Sequence, residues 1–167
     1  MMTNSNLPVD RFQEAPQPGA RFGLTLIRLT IGTMFVWVFF ENLHKGLYTP
    51  AGYAGLINFY IQKSASPAVW KSVMAIAASH ATMAAPLQGL TEISLGILLL
   101  LGLFTRPAAF VAFGLLGSLF VSEFGTSWIW ELLVPTMACL GLLVGRAGRT
   151  WGLDAFLARR APSSVWW

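Results

Sequence analysis

The sequence is poor in charge. Only 11% of its 167 residues are charged and 55% are hydrophobic, whereas an average soluble protein is about a quarter charged. A soluble domain needs a more charged surface than this composition can supply, and a disordered chain needs much lower hydrophobicity. The composition therefore indicates a small membrane protein that crosses the bilayer several times.

Cysteine and histidine are also scarce, with one cysteine and two histidines in the chain. A lone Cys139 excludes an intrachain disulfide, a CxxCH haem attachment and a cysteine-ligated iron–sulfur cluster. Two histidines leave little room for a His-rich metal site. We therefore expect no covalent haem, no iron–sulfur cluster and no metal site.

The positive net charge does not indicate a nucleic-acid partner. The formal charge is +4, but the arginines cluster near the two ends of the chain, beside apolar segments. Such a distribution is typical of membrane orientation and not of a basic groove. We therefore expect no nucleic acid among the partners.

Four apolar stretches approach the length of about 20 residues that a spanning helix needs. They cover residues 22–40, 83–104, 107–121 and 130–144. The predicted fold is an all-α integral membrane protein, a bundle of four transmembrane helices with amphipathic helices on its outer face. The predicted domains are a flexible cytoplasmic tail (1–20), the membrane domain (21–145, with the outer segment 47–80) and a cytoplasmic C-terminal tail (146–167).

The distribution of basic residues predicts the orientation. With four spans, all eight arginines fall on the side of the termini and all three lysines on the opposite side. Cytoplasmic loops carry an excess of Lys and Arg. The prediction is a multi-pass protein of the bacterial or archaeal cytoplasmic (inner) membrane, with both termini in the cytoplasm.

The segments outside the four predicted spans also contain short helical patterns. In the outer segment one helical face is formed by Tyr53, Leu56, Ile57, Tyr60 and Ile61. Ser66 and Pro67 suit the N-cap and first position of a second short helix. Both helices act either as a structural cover or as a lid for a substrate or partner. Near the C-terminus, Asp154 suits the N-cap of a short interfacial helix.

Four acids lie inside or at the outer ends of the apolar segments: Glu41, Glu92, Glu123 and Glu131. A charge at the centre of a membrane helix costs at least about 2.5 kcal/mol, so such residues are usually paired, protonated or functional. We take Glu92, Glu131 and Glu41 as the candidate proton-handling residues.

Several polar and aromatic residues are predicted to meet near the outer face. Glu41, His44 and Lys45 share one face at the end of the first span because they are spaced i, i+3 and i+4. They are expected to converge there with Trp37, Glu123, Trp128, Trp130 and Glu131, and with His80 if the second span starts early. The alternative is that these residues are interfacial anchors, as Trp and Lys often are at membrane edges.

Arg28 and Glu92 are the second candidate site. Counting residues from the inner ends of their spans places Arg28 about 9 Å deep and Glu92 about 18 Å deep. An extended arginine side chain covers most of that difference, which predicts a buried pair. The pair either fixes helix register or binds a polar head group or relays a proton.

Three segments together resemble the DoxX/DoxD family of small four-span membrane proteins. They read RLTIGTMFVWVFFENLHKG, LTEISLGILLLLGLFTRP and GRAGRTWGLDAFLARR, in this order. The long outer segment and SWIWE are more similar to the DoxD branch, the small subunit of a thiosulfate:quinone oxidoreductase. The resemblance implies a membrane partner of a redox protein near the quinone pool. By position, Arg28, Lys45 and Glu92 match the polar elements of the family.

The leading hypothesis is a membrane subunit of a quinone-linked redox system with other protein subunits as partners. Glu92, Glu131 and Glu41 would handle protons. Arg28, Lys45 or His44 would bind a polar oxygen or an anionic substrate, and Trp130 would stack on a ring. One alternative is a structural or anchoring subunit of a larger membrane complex. Another is a small proton-coupled transporter.

Overall fold

The computed structural model describes residues 18–161, 164 and 166, and every regular element in that part of the chain is helical. The helices are α1 (Pro18–His44), α2 (Pro50–Lys63), α3 (Ala68–Ser79), α4 (Ala81–Leu101), α5 (Thr105–Ser122), α6 (Ile129–Gly145) and α7 (Leu153–Arg160), with a short 3₁₀ turn at Ala147–Arg149. Residues 1–17 of the predicted N-terminal tail lie outside the described residues.

Three of the predicted spans are confirmed as helices long and apolar enough to cross a membrane. They are α1, α4 and α5. The fourth predicted stretch also forms a helix, α6, but its 17 residues are fewer than in those three. A fourth crossing therefore remains a prediction.

The long helices contact each other in a ring: α1 with α4, α4 with α5, α5 with α6, and α6 with α1. Leu99, Ala109, Cys139 and Leu142 are completely buried between them. Helices α1 and α4 approach closely at Gly96, where an added Cβ would lie 2.7 Å from a Val36 methyl group. Small residues permit such contacts between membrane helices.

Helices α2 and α3 pack against each other and cover one end of the ring, the α2–α3 end. The predicted face of α2 is confirmed, since Ile57 and Tyr60 are buried beside Met74 of α3. The expected Ser66 cap is wrong: Pro67 precedes α3 without a side-chain cap. The Ser66 hydroxyl instead donates to the Val121 carbonyl at 2.6 Å, which ties this pair of helices to the end of α5.

Helix α7 closes the opposite end, the α7 end. The sequence pattern predicted that Asp154 caps its own helix, and this is wrong. Asp154 lies within the first turn of α7. Its carboxylate is completely buried and accepts from the amides of Phe104 (2.7 Å) and Thr105 (2.9 Å). Asp154 therefore satisfies donors at the start of α5, and α7 is docked on the long helices.

Candidate functional site

The outward face of α1 carries a broad groove at the α2–α3 end, with a volume of about 1120 Å³. Its walls are mainly apolar, and Trp37 and Phe40 are 72% and 59% exposed. The lining residues are Thr33, Val36, Trp37, Phe40, Glu41, Leu43, His44 and Lys45. Their helical spacing places most of them on one face of a single helix.

The rim of this groove contains three of the sequence-predicted site residues. Lys45 Nζ lies 2.5 Å from Glu41 Oε1 in an i, i+4 ion pair, with both side chains about half exposed. His44 lines the same rim and is exposed. The groove therefore ends in a cation, an imidazole and a carboxylate that a ligand can reach, as their shared face predicted.

A second cavity of about 570 Å³ continues along the same face of α1 toward the α7 end. It shares Thr33 and Trp37 with the first and extends to Leu26. Between Leu26 and Lys45 the face runs about 28 Å at the rise of an α-helix. This arrangement suits a ligand with a polar head and a long apolar tail.

Glu92 is buried at the α2–α3 end, with only 2% of its surface exposed. Its carboxylate accepts from Tyr48 Oη at 2.5 Å, Gln88 Nε2 at 2.9 Å and Asn42 Nδ2 at 3.1 Å. Among the described residues, no Lys, Arg or His nitrogen lies within ion-pair distance of it. Three hydroxyl and amide donors therefore satisfy this carboxylate.

The ring of Tyr48 fits closely over α4. It packs on Gly89, where an added Cβ would lie 3.0 Å from the ring, and stacks on Phe39 with the centroids 5.3 Å apart. Burial, and then the hydrogen bond to Glu92, raise the pKa of Tyr48 well above its ordinary value. Tyr48 therefore remains a neutral donor and connects the α1–α2 loop to α4.

The predicted pair between Arg28 and Glu92 is wrong. Arg28 is 1% exposed and lies at the α7 end, where its Nη2 donates to the Trp151 carbonyl at 3.0 Å. Glu92 bonds Asn42, which is about 21 Å along α1 from Arg28 at the helical rise. The two helices run antiparallel in a register that places Glu92 beside Asn42 and Arg28 beside Gly102, so the two side chains do not meet.

Glu123 and Glu131, the other two acids of the predicted outer set, lie around the α5–α6 connection. Glu123 accepts from Tyr60 Oη at 2.5 Å and from Ser127 Oγ at 3.0 Å. Burial, and then this hydrogen bond, raise the pKa of Tyr60. Glu131 is exposed in the first turn of α6, close in sequence to the stacked rings of Trp128 and Trp130.

The residues that were expected to converge at the outer face therefore do not form one site. Glu41, His44 and Lys45 line the α1 groove, whereas Glu123 and Trp128 line a separate cavity. His80 lines neither cavity, because its ring bonds Ser79 and the Ile76 carbonyl at the start of α4. Among the described residues, no three His, Cys, Asp or Glu side chains come together as metal ligands.

Sequence reasoning missed the polar partners of Glu92. Gln88 lies one helical turn before Glu92, a spacing at which side chains meet. This contact could therefore have been predicted from the sequence. Asn42 and Tyr48 belong to another part of the chain, and their contacts depend on the rotation and register of α1 against α4. No local pattern contained that information.

Long apolar helices, charges at their ends and an outward groove define a multi-pass membrane protein. Over residues 23–166 the sequence matches the family described as TQO small subunit DoxD. The chain belongs to the DoxD family. Comparison with the curated proteins and with the solved structures gives no match.

Proposed function

We propose that this chain is the membrane subunit of a quinone-linked redox system and that the α1 groove binds the quinone. The observation that carries the proposal is the groove itself, which joins an apolar track along α1 to a rim formed by Lys45, His44 and Glu41. Membership of the family described as TQO small subunit DoxD supports the same chemistry.

The groove residues match the parts of a quinone. Lys45 and His44 donate hydrogen bonds to a carbonyl oxygen of the head group, and Trp37 offers an exposed ring face for stacking. The isoprenoid tail lies along the apolar track toward Leu26. Reduction to the quinol takes two electrons from a partner protein and two protons from the aqueous phase, one for each ring oxygen. Glu41 is the groove carboxylate that relays a proton from water to the ring oxygen at the rim.

The other predicted site residues take supporting roles in this proposal. Glu92 holds the end of α1 through Asn42 and Tyr48, and so positions Lys45. Arg28 belongs to the α7 end. Trp130 and Glu131 do not line the groove, so the proposal assigns ring stacking to Trp37 and proton transfer to Glu41.

Quinone binding is expected to raise the thermal stability of the purified protein. A ligand that binds only the folded state at a hundred times its Kd stabilises it by about 2.7 kcal/mol. The measurement is the unfolding midpoint in detergent with and without a short-chain ubiquinone. Trp37→Ala and Lys45→Met should lose most of the shift because each removes one contact of the head group.

Trp130→Ala is the matched control, since Trp130 is also an exposed tryptophan but does not line the groove. It should keep the full shift. No shift in the wild type, or equal shifts in Trp37→Ala and the wild type, would contradict quinone binding in this groove.

The exposed face of α1 also supports a second candidate, an anchoring subunit whose α1 groove is covered by a larger protein. Phe40 and Leu43 there are more than half exposed, so this face of α1 is open either to lipid or to another subunit. A photo-crosslinking residue at Phe40 distinguishes the two. Capture of a protein subunit in the native complex, without a quinone-induced shift, favours anchoring.

We further propose that α6 is a fourth span and that both ends of the described chain face the cytoplasm. The start of α1 and the segment before α7 lie together, since Thr25 Oγ1 donates to the Thr150 carbonyl at 3.2 Å. Because Cys139 is completely buried, introduced cysteines can be labelled selectively. Thr126→Cys should react with a membrane-impermeant maleimide on intact cells, whereas Arg146→Cys should react only after lysis.

Equal labelling of both cysteines on intact cells would show that α6 does not cross. Labelling of Arg146→Cys alone on intact cells would mean that the orientation is the opposite of the one proposed. Reaction of both variants after lysis, with no labelling of the unsubstituted protein, provides the control for access.

A further inference from the structure

We propose that a small cavity between the end of α5 and the start of α6 binds the alkylammonium head group of a zwitterionic membrane lipid. The cavity has a volume of about 210 Å³ and lies apart from the α1 groove. Its principal walls are Phe120, Glu123, Phe124, Ser127 and Trp128. This inference does not depend on the proposed quinone chemistry.

Glu123 gives the cavity an unbalanced negative charge. Tyr60 and Ser127 donate hydrogen bonds to its two carboxylate oxygens. In the described part of the chain, no basic side chain lies within ion-pair distance of either oxygen. A partly buried carboxylate at a membrane edge, held by neutral donors, favours a cation as its ligand.

The aromatic walls indicate which kind of cation fits. Phe120, Phe124 and Trp128 line the cavity. Phe120 and Phe124 stand edge to face with centroids 6.0 Å apart, and Trp130 covers one face of Trp128 at 4.9 Å. Aromatic ring faces attract ammonium groups, and Trp does so most strongly. A hard metal ion instead needs several oxygen ligands, whereas Glu123 and Ser127 are the side chains here that offer oxygen.

The surroundings of the cavity favour a lipid as the source of the ammonium group. Phe124, Trp128, Ile129 and Trp130 are all about half exposed or more, at the ends of two apolar helices. Tryptophans in such positions typically lie at the level of lipid head groups. The backbone beside the cavity is fixed because the Ala65 amide donates to the Phe124 carbonyl at 2.7 Å.

The test measures which lipids the full-length protein retains. The protein is reconstituted in nanodiscs containing equal amounts of phosphatidylglycerol with either phosphatidylethanolamine or phosphatidylcholine, and the retained lipids are counted by native mass spectrometry. The wild type should enrich the zwitterionic lipid over phosphatidylglycerol in at least one mixture, by about fivefold if a cation–π contact contributes about 1 kcal/mol.

Glu123→Gln and Trp128→Ala should lose this enrichment, because each removes one element of cation recognition. Glu131→Gln is the matched control: it neutralises an exposed acid at the same end that does not line the cavity. It should keep the enrichment. If Glu123→Gln fails to fold, Phe124→Leu replaces it in the test. This substitution keeps an apolar side chain but removes one aromatic ring of the cavity.

No enrichment in either mixture, or undiminished enrichment in the Glu123 and Trp128 variants, would overturn the proposal. Tetramethylammonium chloride distinguishes a free cation from a lipid. If it stabilises the wild type in lipid-free detergent while neither lipid is enriched, the lipid assignment is wrong. If it displaces the enriched lipid, the proposal is supported.

Discussion

Replacing Asp154 with alanine is expected to lower the free energy of unfolding by about 3–5 kcal/mol, because each of two amides would lose its acceptor at a cost of about 1–3 kcal/mol. The Phe104 and Thr105 amides would lose the carboxylate that accepts their hydrogen bonds. Arg28, almost completely buried, would lose the nearby negative charge that acts on it. Equilibrium unfolding in detergent measures the change.

Glu131→Ala provides the control for removing a carboxylate. Glu131 lies in the first turn of α6 and is exposed, so its loss should change stability by no more than about 0.5 kcal/mol. Asp154→Asn keeps one oxygen acceptor, so its loss of stability should lie between those of Glu131→Ala and Asp154→Ala. An Asp154→Ala variant as stable as the wild type would show that α7 does not hold the start of α5.

The tight fit at the α7 end explains the glycines around Asp154. A Cβ at Gly148 would collide with the Asp154 carboxylate and the Thr105 hydroxyl, and one at Gly102 would collide with the Arg28 guanidinium. Gly102 also has φ +64°, a conformation in which a side chain is strained. In the segment GRAGRTWGLD, glycine and aspartate thus act together to fit α7 against α5.

The sequence was informative where structure follows from local periodicity. Long apolar runs predicted α1, α4 and α5, and the spacing of Ile57 and Tyr60 predicted the buried face of α2. The i, i+4 spacing of Glu41 and Lys45 likewise predicted their contact. Each of these features depends on a single helix, so the pitch of that helix was sufficient.

Contacts between helices could not be predicted in the same way. Depth counting placed Arg28 about 9 Å and Glu92 about 18 Å deep, within reach of an extended arginine side chain. The close approach at Gly32 and Gly96 instead sets a register that keeps them apart. Asp154 fits the residue preferences of an N-cap, yet its carboxylate reaches another helix. In both cases a tertiary contact outweighs the local pattern, and its register depends on close packing that no single segment specifies.

Replacing Glu92 with leucine is expected to lower the free energy of unfolding by about 3 kcal/mol, because each buried donor left without an acceptor costs about 1–3 kcal/mol. Tyr48, Asn42 and Gln88 would all lose the carboxylate that accepts their hydrogen bonds. Glu92→Gln still presents an oxygen to Tyr48 and should cost about 1 kcal/mol. Equilibrium unfolding in detergent compares the two variants.

The variants Glu92→Leu and Glu92→Gln also test whether Glu92 positions the rim of the α1 groove. Lys45 is three residues before Tyr48, so releasing Tyr48 from α4 would free the rim of the groove. Glu92→Leu should therefore lose the quinone-induced thermal shift, whereas Glu92→Gln should retain it. Loss in both variants would mean that the carboxylate itself takes part in binding. Retention in both would separate Glu92 from the groove, and this buried polar group would then serve only to hold the α1–α2 connection on α4.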